Sequence, residues 1–457
     1  MNHLTPIRQP GFDLQACVDW LDKTGNLARV TSQVRLTHEL AGVARQFEGR
    51  KSVLFETVED SRFPVFTGLY WNRSVLAGIF GCPVERLSFL LSDAVAAWRQ
   101  NPIAPVVLEK AVAQEVTMEA PDLRCLPVPT HAMDDGGAYL DCSAVVAKDP
   151  DTGVRNLSIH RMMIAGPKRL TMLMDAGRHL RDYYERAERQ GKPLEITISN
   201  GIDPSVYMAA VVPASAAPIE SDELGIASQL LGRPVELVRS RTVNVEGIAN
   251  AQFIIEGEIL PHVREQEGPF GEVAGYYGER DNRWVVNVKS ISHRQLPIFH
   301  TLIPGKEVLN SVGLMGEANI FNLVSRQVPG IRAVYLPHGG CGFYHAIVQI
   351  KKVFEGSQRN AVLATMAASP ALKQVVVVDD DVNIYDPEDV EWAMCTRFDP
   401  ANDILLVTKA LGHELNPVTQ NGLTTKVGFD ATAPFPMPSR YRRVKFQPVD
   451  IAEYECK

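Results

Sequence analysis

The stretch Glu267-Gly268-Pro269-Phe270-Gly271-Glu272 decides how the rest of this sequence is interpreted. Two carboxylates enclose a Gly-Pro-Phe-Gly core, and glycine and proline are both unfavourable inside a helix or a central strand. The stretch therefore predicts a tight loop that directs Glu267 and Glu272 towards one place. Two acids in different environments can take different protonation states, which acid/base catalysis requires. Taken alone, the stretch leaves open a surface turn with two solvated glutamates.

Length, charge and cysteine content narrow the class of protein. The chain has 457 residues, 45% of them hydrophobic and 22% charged, which predicts two or three globular domains. A net charge of -8 leaves no positive surplus for phosphates and argues against a nucleic-acid binder. The seven cysteines are scattered, which predicts reduced thiols and a cytoplasmic location. Residues Met1–Pro6 lack a signal-peptide pattern, and no apolar stretch approaches the ~20 residues that span a bilayer, so no membrane partner is expected.

The first part of the chain has the pattern of a mixed α/β unit. Apolar residues have helical spacing within residues 12–30. Further helices are predicted over Thr37–Phe47 and Val84–Gln100. Ser52–Val58 and Phe63–Leu69 have the composition of strands. The Pro-rich residues 105–130 are interpreted as a domain junction.

Beyond this junction the pattern is rich in β-strands and then returns to α/β. The predicted central strands are Asn156–Ile164, Leu194–Ile198, Met208–Val212, Gln252–Leu260, Trp284–Ser292 and Pro297–Leu302, with one helix over Gly177–Gln190. This density of strands predicts a barrel. After Ala318 the predictions are strands over Ile331–Leu336, Tyr344–Lys351 and Gln374–Asp379, and helices over Ser357–Ala368 and Pro387–Met394.

One predicted central strand carries a group of polar side chains. Because strand side chains alternate between faces, Asn156, Ser158 and His160 share one face and Arg161 points to the other. Asn156 and Arg161 can serve one site only if the strand bulges or a ligand wraps around its end. A purely structural strand is the alternative.

Two further segments offer ligands for an ion. Gly177-Arg178-His179 opens a helix, where backbone N–H groups favour anions, and His179 is either a metal ligand or a capping residue. Glu223 belongs to an acidic cluster, Ile219–Leu224, that otherwise suits a solvated turn. One carboxylate, one histidine and one amide oxygen would suit Mn²⁺ or Mg²⁺. Asp379-Asp380-Asp381 could hold a second metal, but acids are also common in loops after parallel strands.

The order of these motifs resembles one known family. Asn156-x4-Arg161, Gly177-Arg178-His179, Glu223 and the Glu267–Glu272 stretch together resemble the UbiD family of decarboxylases, which use prenylated FMN. The resemblance implies an α+β fold with a central split β-barrel that binds the flavin. It implies an N-terminal α/β domain over residues 1–115, the flavin-binding domain over 116–310 and a C-terminal α/β oligomerisation domain over 311–457.

The resemblance also implies roles for individual residues. Arg161, Glu267 and Glu272 match the catalytic network of the family. Asn156, His179 and Glu223 match the ligands of Mn²⁺ (or Mg²⁺), which in turn binds the flavin phosphate. The implied cofactor-binding residues are Asn156, Ser158, Ile159, His160, Arg161, Arg178, His179 and Glu223. A K⁺ ion is implied near Val154 and residues 212–215, although Val154 stands where some relatives carry Trp.

The activity implied is reversible, non-oxidative decarboxylation of an aromatic, heteroaromatic or α,β-unsaturated carboxylic acid. The substrate would join the flavin covalently, CO₂ would leave, and Glu272 would donate the replacing proton. The implied partners are a small carboxylic acid, a flavin prenyltransferase that supplies the cofactor, and further copies of the chain in a homodimer or homohexamer.

His300 is the one candidate for substrate contact, because a histidine there could hydrogen-bond a ring heteroatom or hydroxyl; a packed strand residue is the alternative. Three other functions compete. They are a polyprenyl-hydroxybenzoate decarboxylase of quinone biosynthesis, a non-catalytic flavin-binding subunit, and a metal-dependent hydrolase that uses Glu223 and His179.

Overall fold

The computed structural model describes residues 13–449. Its helices are α1 (Leu14–Lys23), α2 (Glu39–Arg45), α3 (Arg73–Phe80), α4 (Leu87–Gln100), α5 (His179–Arg189), α6 (Pro204–Ala210), α7 (Leu224–Leu231), α8 (Lys306–Gln327), α9 (Ser357–Ala368) and α10 (Pro387–Arg397). Met1–Pro6, Cys456 and the outer ends of the first and last predicted domains lie outside the described residues.

The strands fall into three successive regions of the chain. Those of the first region are β1 (Leu27–Val30), β2 (Ser52–Phe55) and β3 (Val65–Thr67). Those of the central region are β4 (Val106–Leu108), β5 (Val116–Thr117), β6 (Tyr139–Leu140), β7 (Ser143–Lys148), β8 (Arg155–Ile159), β9 (Met162–Gly166), β10 (Arg169–Met172), β11 (Leu194–Asn200), β12 (Glu236–Val238), β13 (Gly247–Ile248), β14 (Phe253–Glu267), β15 (Phe270–Gly271), β16 (Tyr277–Gly278), β17 (Asp281–His293) and β18 (Phe299–His300). Those of the last region are β19 (Ile331–Tyr335), β20 (His345–Ile350), β21 (Gln374–Asp379), β22 (Ile404–Leu411) and β23 (Leu423–Ala431).

The first region is a small α/β unit, as its sequence pattern predicts. Asp13 caps α1 by accepting from the backbone N–H of Ala16 at 2.9 Å, and the apolar face of the helix is fully buried. Strands β1, β2 and β3 form a sheet whose last member is β18, a segment that follows the central strands in sequence. This pairing joins the first region to the end of the central one.

The central region is a curled sheet in the order β6-β9-β10-β17-β14-β11-β7-β8, with β5 paired to β17. Strand β8 is at one end of this order, and only β6 lies beyond β9 at the other end. Yet only His160 and Arg161 separate β8 from β9 in sequence. Three peptide steps span at most about 11 Å, so the two ends of the sheet must approach each other. The sheet therefore curls into a half-barrel, which confirms the predicted α+β fold with a central split β-barrel.

Three sequence-based predictions for the central region differ from the structure. The strand predicted over Asn156–Ile164 is two strands, because the chain turns at His160 and Arg161. The strand predicted over Met208–Val212 is wrong: these residues end α6 and follow it, because Asp203 caps the helix and Pro204 occupies its first turn. Within the predicted junction, β4 pairs with β12 and β5 with β17, so this segment is built into the central sheets.

The last region is an α/β sheet in the order β19-β20-β21-β23-β22, whose three central strands are parallel. The helix over Ser357–Ala368 and the strand over Gln374–Asp379 have the predicted bounds. The 22-residue helix α8 was not predicted, because its apolar residues lie on more than one face. Val308 and Val312, in its first half, line the cavity described below, whereas Ile320 and Val324 pack in the core of the last region.

No disulfide joins the cysteines that the structure describes. Within residues 13–449, no single helix is long and apolar enough to cross a membrane. Two helical segments, Arg73–Phe80 and Val84–Gln100, meet the same criterion of length and composition only as a pair bent by 77°.

Candidate active site

A cavity of about 350 Å³ opens between the curled sheet, α6, α8 and the Glu267–Glu272 loop. Its volume lies within the range of small-molecule sites, which is about 300–1,000 Å³. Residues from distant parts of the sequence meet in its wall. The lining residues are Asp141, Asn156, Leu157, Ser158, Ile159, His160, Arg161, Leu173, Asp175, Arg178, His179, Leu180, Tyr207, Ala210, Val211, Val212, Pro213, Ala214, Glu223, Phe270, Gly271, Glu272, Val273, Leu302, Pro304, Val308 and Val312.

One arginine binds both acids of the Glu267–Glu272 loop. Arg161 donates through Nη2 to Glu267 Oε2 at 3.0 Å and through Nη1 to Glu272 Oε1. Its guanidinium also lies over the Phe270 ring, 5.1 Å from the centroid. Arg161 can reach both acids because it lies on the turn between β8 and β9, so strand alternation does not fix its direction.

Close backbone contacts hold this loop in place. Gly136 donates its N–H to the carbonyl of Pro269 at 2.7 Å, and a Cβ at residue 136 would lie 2.2 Å from the carbonyl oxygen of Gly268. The N–H of Gly271 donates to Asp135 Oδ1 at 2.7 Å. The Asp-Asp-Gly-Gly segment at residues 134–137 is therefore part of the site's support, which the sequence analysis did not identify.

Glu267 is fully buried, and other residues besides Arg161 lie near it. Arg283 Nε lies 3.7 Å from Glu267 Oε2, and the Tyr139 hydroxyl donates to the Pro269 carbonyl at 3.3 Å. Burial, together with the nearby Glu267 carboxylate, raises the pKa of Tyr139 well above its ordinary value. Glu272 is more accessible, because its side chain is 11% exposed and lines the cavity. One acid of the pair is thus enclosed, and the other can meet a bound molecule.

The predicted metal ligands converge in the cavity wall. His179 Nδ1 lies 3.1 Å from Glu223 Oε1, and the N–H of Leu157 donates to Glu223 Oε2 at 3.0 Å. Asn156, next in sequence to Leu157, donates to Ser158 Oγ at 2.9 Å. One imidazole, one carboxylate and one amide oxygen form a donor set that fits Mn²⁺ or Mg²⁺. Among the described residues, no group of three or more His, Cys, Asp or Glu could hold a metal, so the amide of Asn156 is needed to complete this set.

The other predicted cofactor-binding residues also line the cavity. They are Ser158, Ile159, His160 and Arg178. His160 Nδ1 lies 2.9 Å from the Leu173 carbonyl and its Nε2 lies 2.9 Å from Ser158 Oγ. Burial lowers the pKa of His160 to about 4, so its imidazole is neutral at pH 7.

The segment predicted to adjoin K⁺ also reaches the cavity, in part. Val212, Pro213 and Ala214 line it, and Ser215 Oγ accepts from Asn319 Nδ2 at 3.1 Å. The carbonyl of Val154 accepts from the N–H of Asp149 at 2.8 Å within a turn. The K⁺ site stays a prediction.

His300 does not line the cavity. It is fully buried, its ring lies 5.3 Å from that of Phe66 and 5.9 Å from that of Tyr70, and its Nδ1 lies 3.4 Å from Cys142 Sγ. Burial lowers the pKa of His300 to about 3. The structure corresponds to the alternative of a packed strand residue, because β18 is covered on one side by the first region.

The acidic run after β21 has an arginine partner. Arg397 Nη1 donates to Asp379 Oδ2 and to Asp381 Oδ1, each at 2.7 Å. The N–H of Ala433 donates to Asp379 Oδ2 at 2.7 Å as well. These contacts give the run a structural role and leave the second metal site without support.

Three family profiles match the chain. The profiles of the N-terminal, Rift-related and C-terminal domains of 3-octaprenyl-4-hydroxybenzoate carboxy-lyase (UbiD) match residues 18–95, 106–307 and 310–431. An uncharacterised protein of Rhodospirillum rubrum is 49% identical over 95% of this chain and 94% of its own length. The anhydromevalonate phosphate decarboxylase of Methanothermobacter thermautotrophicus is 38% identical over 93% of this chain and 99% of its own.

Solved structures show the same architecture. The UbiD-class enzyme HmfF from Pelotomaculum thermopropionicum, in complex with FMN, superposes with a TM-score of 0.93 at 40% identity and covers 97% of this chain and 100% of its own. An evolved dimeric form of HmfF contains prFMN and superposes with a TM-score of 0.88 at 38% identity, over 97% of this chain and 100% of its own. The apo 3,4-dihydroxybenzoic acid decarboxylase of Enterobacter cloacae gives a TM-score of 0.91 at 33% identity, over 97% and 99%.

Proposed function

The chain belongs to the UbiD family of carboxy-lyases, and from this membership we propose that it decarboxylates an aromatic or heteroaromatic carboxylic acid without oxidation and reversibly. The observation that carries the proposal is the bonding of Arg161 to both Glu267 and Glu272 at the cavity. Cofactor binding alone does not require this arrangement.

The cavity residues fit a flavin phosphate held through a metal. Asn156, His179 and Glu223 would hold Mn²⁺ or Mg²⁺, and Arg178 would face the phosphate from the start of α5. When bound, a prenylated FMN would supply an electrophilic carbon that joins the substrate covalently and takes up the electron pair released with CO₂. Loss of CO₂ directly from an aromatic carbon would otherwise leave an unstabilised carbanion.

The protein's own residues would position the substrate and move one proton. Arg161 offers fixed N–H donors to the substrate carboxylate while it keeps its bond to Glu267. Glu267 is enclosed and orients the guanidinium. Glu272 lines the cavity and would deliver a proton to the carbon that has lost CO₂. In the reverse direction the same carboxylate would remove that proton.

The charges of the cavity favour an acid with one negative group. Its lining contains the carboxylates of Asp141, Asp175, Glu223 and Glu272, but only two arginines, Arg161 and Arg178. The relative that acts on anhydromevalonate phosphate would suggest a phosphorylated substrate. Such a substrate would bring a second anion beside the flavin phosphate, and this lining offers no further arginine or lysine for it. Decarboxylation of 3,4-dihydroxybenzoic acid, named for a structural relative, suits the cavity better.

Assembly and cofactor supply belong to the same proposal. A homodimer or homohexamer would form through the last region, and the dimeric form of the HmfF relative supports such assembly. A flavin prenyltransferase would supply the cofactor. The domain limits 1–115, 116–310 and 311–457, and a K⁺ ion near residues 212–215, are proposed with it.

Co-expression with a flavin prenyltransferase tests this proposal. The purified protein should contain prenylated FMN and Mn²⁺ at near-equal stoichiometry, measured by mass spectrometry, visible absorbance and metal analysis. It should then release CO₂ from aromatic acids, and exchange ¹³CO₂ into the carboxyl group of unreacted substrate. Prenylated flavin without release or exchange for any aromatic acid would instead favour a non-catalytic flavin-binding subunit. Catalytic activity in protein that contains no flavin would favour a metal-dependent hydrolase.

A further inference from the structure

Asp141 and Arg161 both line the cavity, although no sequence motif contains both residues. Strands β6 and β9 are antiparallel, with Leu140 paired to Met162. Asp141 directly follows β6 and Arg161 directly precedes β9, so both residues adjoin the paired ends of these strands. A carboxylate is thus present in the wall of the same cavity as the arginine that would position the substrate.

Three donors fix the Asp141 carboxylate. His131 Nε2 lies 2.7 Å from Asp141 Oδ2, and Thr301 Oγ1 donates to Asp141 Oδ1 at 3.0 Å. The backbone N–H of Leu302 also donates to Oδ1, at 3.0 Å. The side chains of His131 and Asp141 are only 2% and 8% exposed. A carboxylate held in this way cannot swing towards or away from a bound molecule.

The fixed carboxylate keeps acceptor capacity for a ligand. Thr301 Oγ1 also lies 3.2 Å from Asp141 Oδ2, but its hydroxyl has a single proton to donate. A carboxylate has about four lone-pair sites, so the three donors from His131, Thr301 and Leu302 leave about one of them. Asp141 also lines the cavity. An acceptor in such a place favours a bound N–H or O–H group, because an apolar substituent there would leave part of the carboxylate unsolvated and unpaired.

A second anionic group at this position would be repelled. Asp141 already has Glu272 in the same cavity lining, and Arg161 is engaged by Glu267 and Glu272. A second substrate carboxylate near Asp141 would place like charges together in a partly desolvated space, which is unfavourable.

We propose that Asp141, fixed by His131 and Thr301, is a specificity-determining residue that accepts a hydrogen bond from a ring hydroxyl or ring N–H of the substrate. The inference rests on the proposed function, because it assumes that an aromatic acid occupies this cavity. It narrows the substrate to monocarboxylic aromatic acids that carry a hydrogen-bond donor on the ring.

Equilibrium binding to the prenylated-FMN holoenzyme, measured by calorimetry, tests this inference separately from turnover. Two matched pairs of acids differ in the donor alone or nearly so: pyrrole-2-carboxylate with furan-2-carboxylate, and 3,4-dihydroxybenzoate with benzoate. We expect the donor-bearing member of at least one pair to bind about 10-fold to 100-fold more tightly. Preference in the pyrrole pair alone assigns a ring N–H, and preference in the benzoate pair alone assigns a ring hydroxyl. Binding of all four acids with no preference in either pair would overturn the role of Asp141.

The variant Asp141→Asn assigns the preference to this residue. In this variant, the two acids of the preferred pair should differ in affinity by about 3-fold or less. The variant should also bind terephthalate, which carries a second carboxylate, more tightly than the wild type does. The control Asp19→Asn removes the same charge from the exposed side of α1 and should keep the wild-type ratio. Flavin content and melting temperature establish that both variants are folded and loaded. An unchanged ratio in loaded Asp141→Asn would contradict the inference, and if that variant does not load, the wild-type pairs alone decide it.

If none of the four acids binds or reacts in a flavin-loaded protein, the proposed function itself fails. Binding without decarboxylation leaves the preference measurable, so the two failures are distinguishable.

Discussion

Arg161 Nη2 lies 3.0 Å from Glu267 Oε2, and the same guanidinium binds Glu272 through Nη1. One cation therefore links an enclosed acid to an acid that lines the cavity. The planar fork of arginine suits this task, because its N–H groups point to two carboxylates in fixed directions. The geometry supports an arrangement in which Glu267 orients Arg161 and Glu272 acts on the substrate.

Glu272→Gln should abolish turnover and leave the cofactor in place. The amide fills the same space but cannot deliver a proton, so we expect kcat to fall by about 10³-fold or more. Visible absorbance of the bound flavin and the rate of CO₂ release measure the two effects. Glu279→Gln, an exposed position on the same connection, is the matched control. An active Glu272→Gln enzyme would exclude Glu272 as proton donor.

Arg161→Lys should be far from conservative. Lysine keeps the charge but has a single ammonium group, which cannot hold Glu267 and Glu272 in the observed directions together. We expect kcat/KM to fall by about 10²-fold while the melting temperature changes little. Arg169→Lys makes the same exchange at an exposed ion pair with Glu265 and should retain activity. Wild-type kinetics in Arg161→Lys would mean that positive charge alone is sufficient.

Glu223→Gln should remove the metal and, with it, most of the flavin. The carboxylate of Glu223 faces His179 Nδ1 at 3.1 Å, and a neutral amide is a much weaker ligand for Mn²⁺. We expect the metal content after dialysis to fall by about 10-fold or more. Glu220→Gln, an exposed acid of the same segment, should keep both metal and flavin. Full metal occupancy in Glu223→Gln would contradict the predicted ligand set.

His300→Phe should change the pH dependence of stability rather than the choice of substrate. Burial lowers the pKa of His300 from 6.5 to about 3, so the unfolded chain binds a proton more readily than the folded one between these values. The stability contributed by the neutral imidazole is therefore present above pH 6.5 and is lost as the pH falls towards 3. For one fully linked proton this loss is about 1.4 kcal/mol per pH unit.

Phenylalanine does not titrate and suits the aromatic surroundings of residue 300. The difference in unfolding free energy between wild type and His300→Phe, measured in urea from pH 7 to pH 4, should shift in favour of the variant as the pH falls. Turnover at pH 7 should stay within about 3-fold, since His300 does not line the cavity. If the unfolding free energies of wild type and variant changed with pH in parallel, His300 would not titrate as burial predicts. A large loss of affinity for the acid in the variant would restore His300 as a substrate contact.

Local sequence patterns predicted much of the fold because they report local physics. Four consecutive valines bounded by polar residues predicted β21, and the helix predicted over Ser357–Ala368 matches α9. The same approach failed over Met208–Val212, where an apolar run has no visible period. The side-chain cap at Asp203 and the proline that follows it favour a helix there. Helix α8 was not predicted for a similar reason, because it buries residues on several faces.

The sequence by itself indicated an irregular backbone between Glu267, where β14 ends, and Phe270, where β15 begins. Proline fixes φ and lacks an N–H, and glycine readily adopts the positive φ of 95° found at Gly268. The sequence also supplied the imidazole, the carboxylate and the amide oxygen proposed to bind a metal, because these donors depend on side-chain chemistry alone. Tertiary structure decided which residues meet. Only the curling of the sheet brings the turn at Arg161 to both acids, and only the pairing of β6 with β9 brings Asp141 and Arg161 to the same cavity. These contacts join segments more than 100 residues apart in the case of Arg161 and Glu267, and no local pattern encodes them.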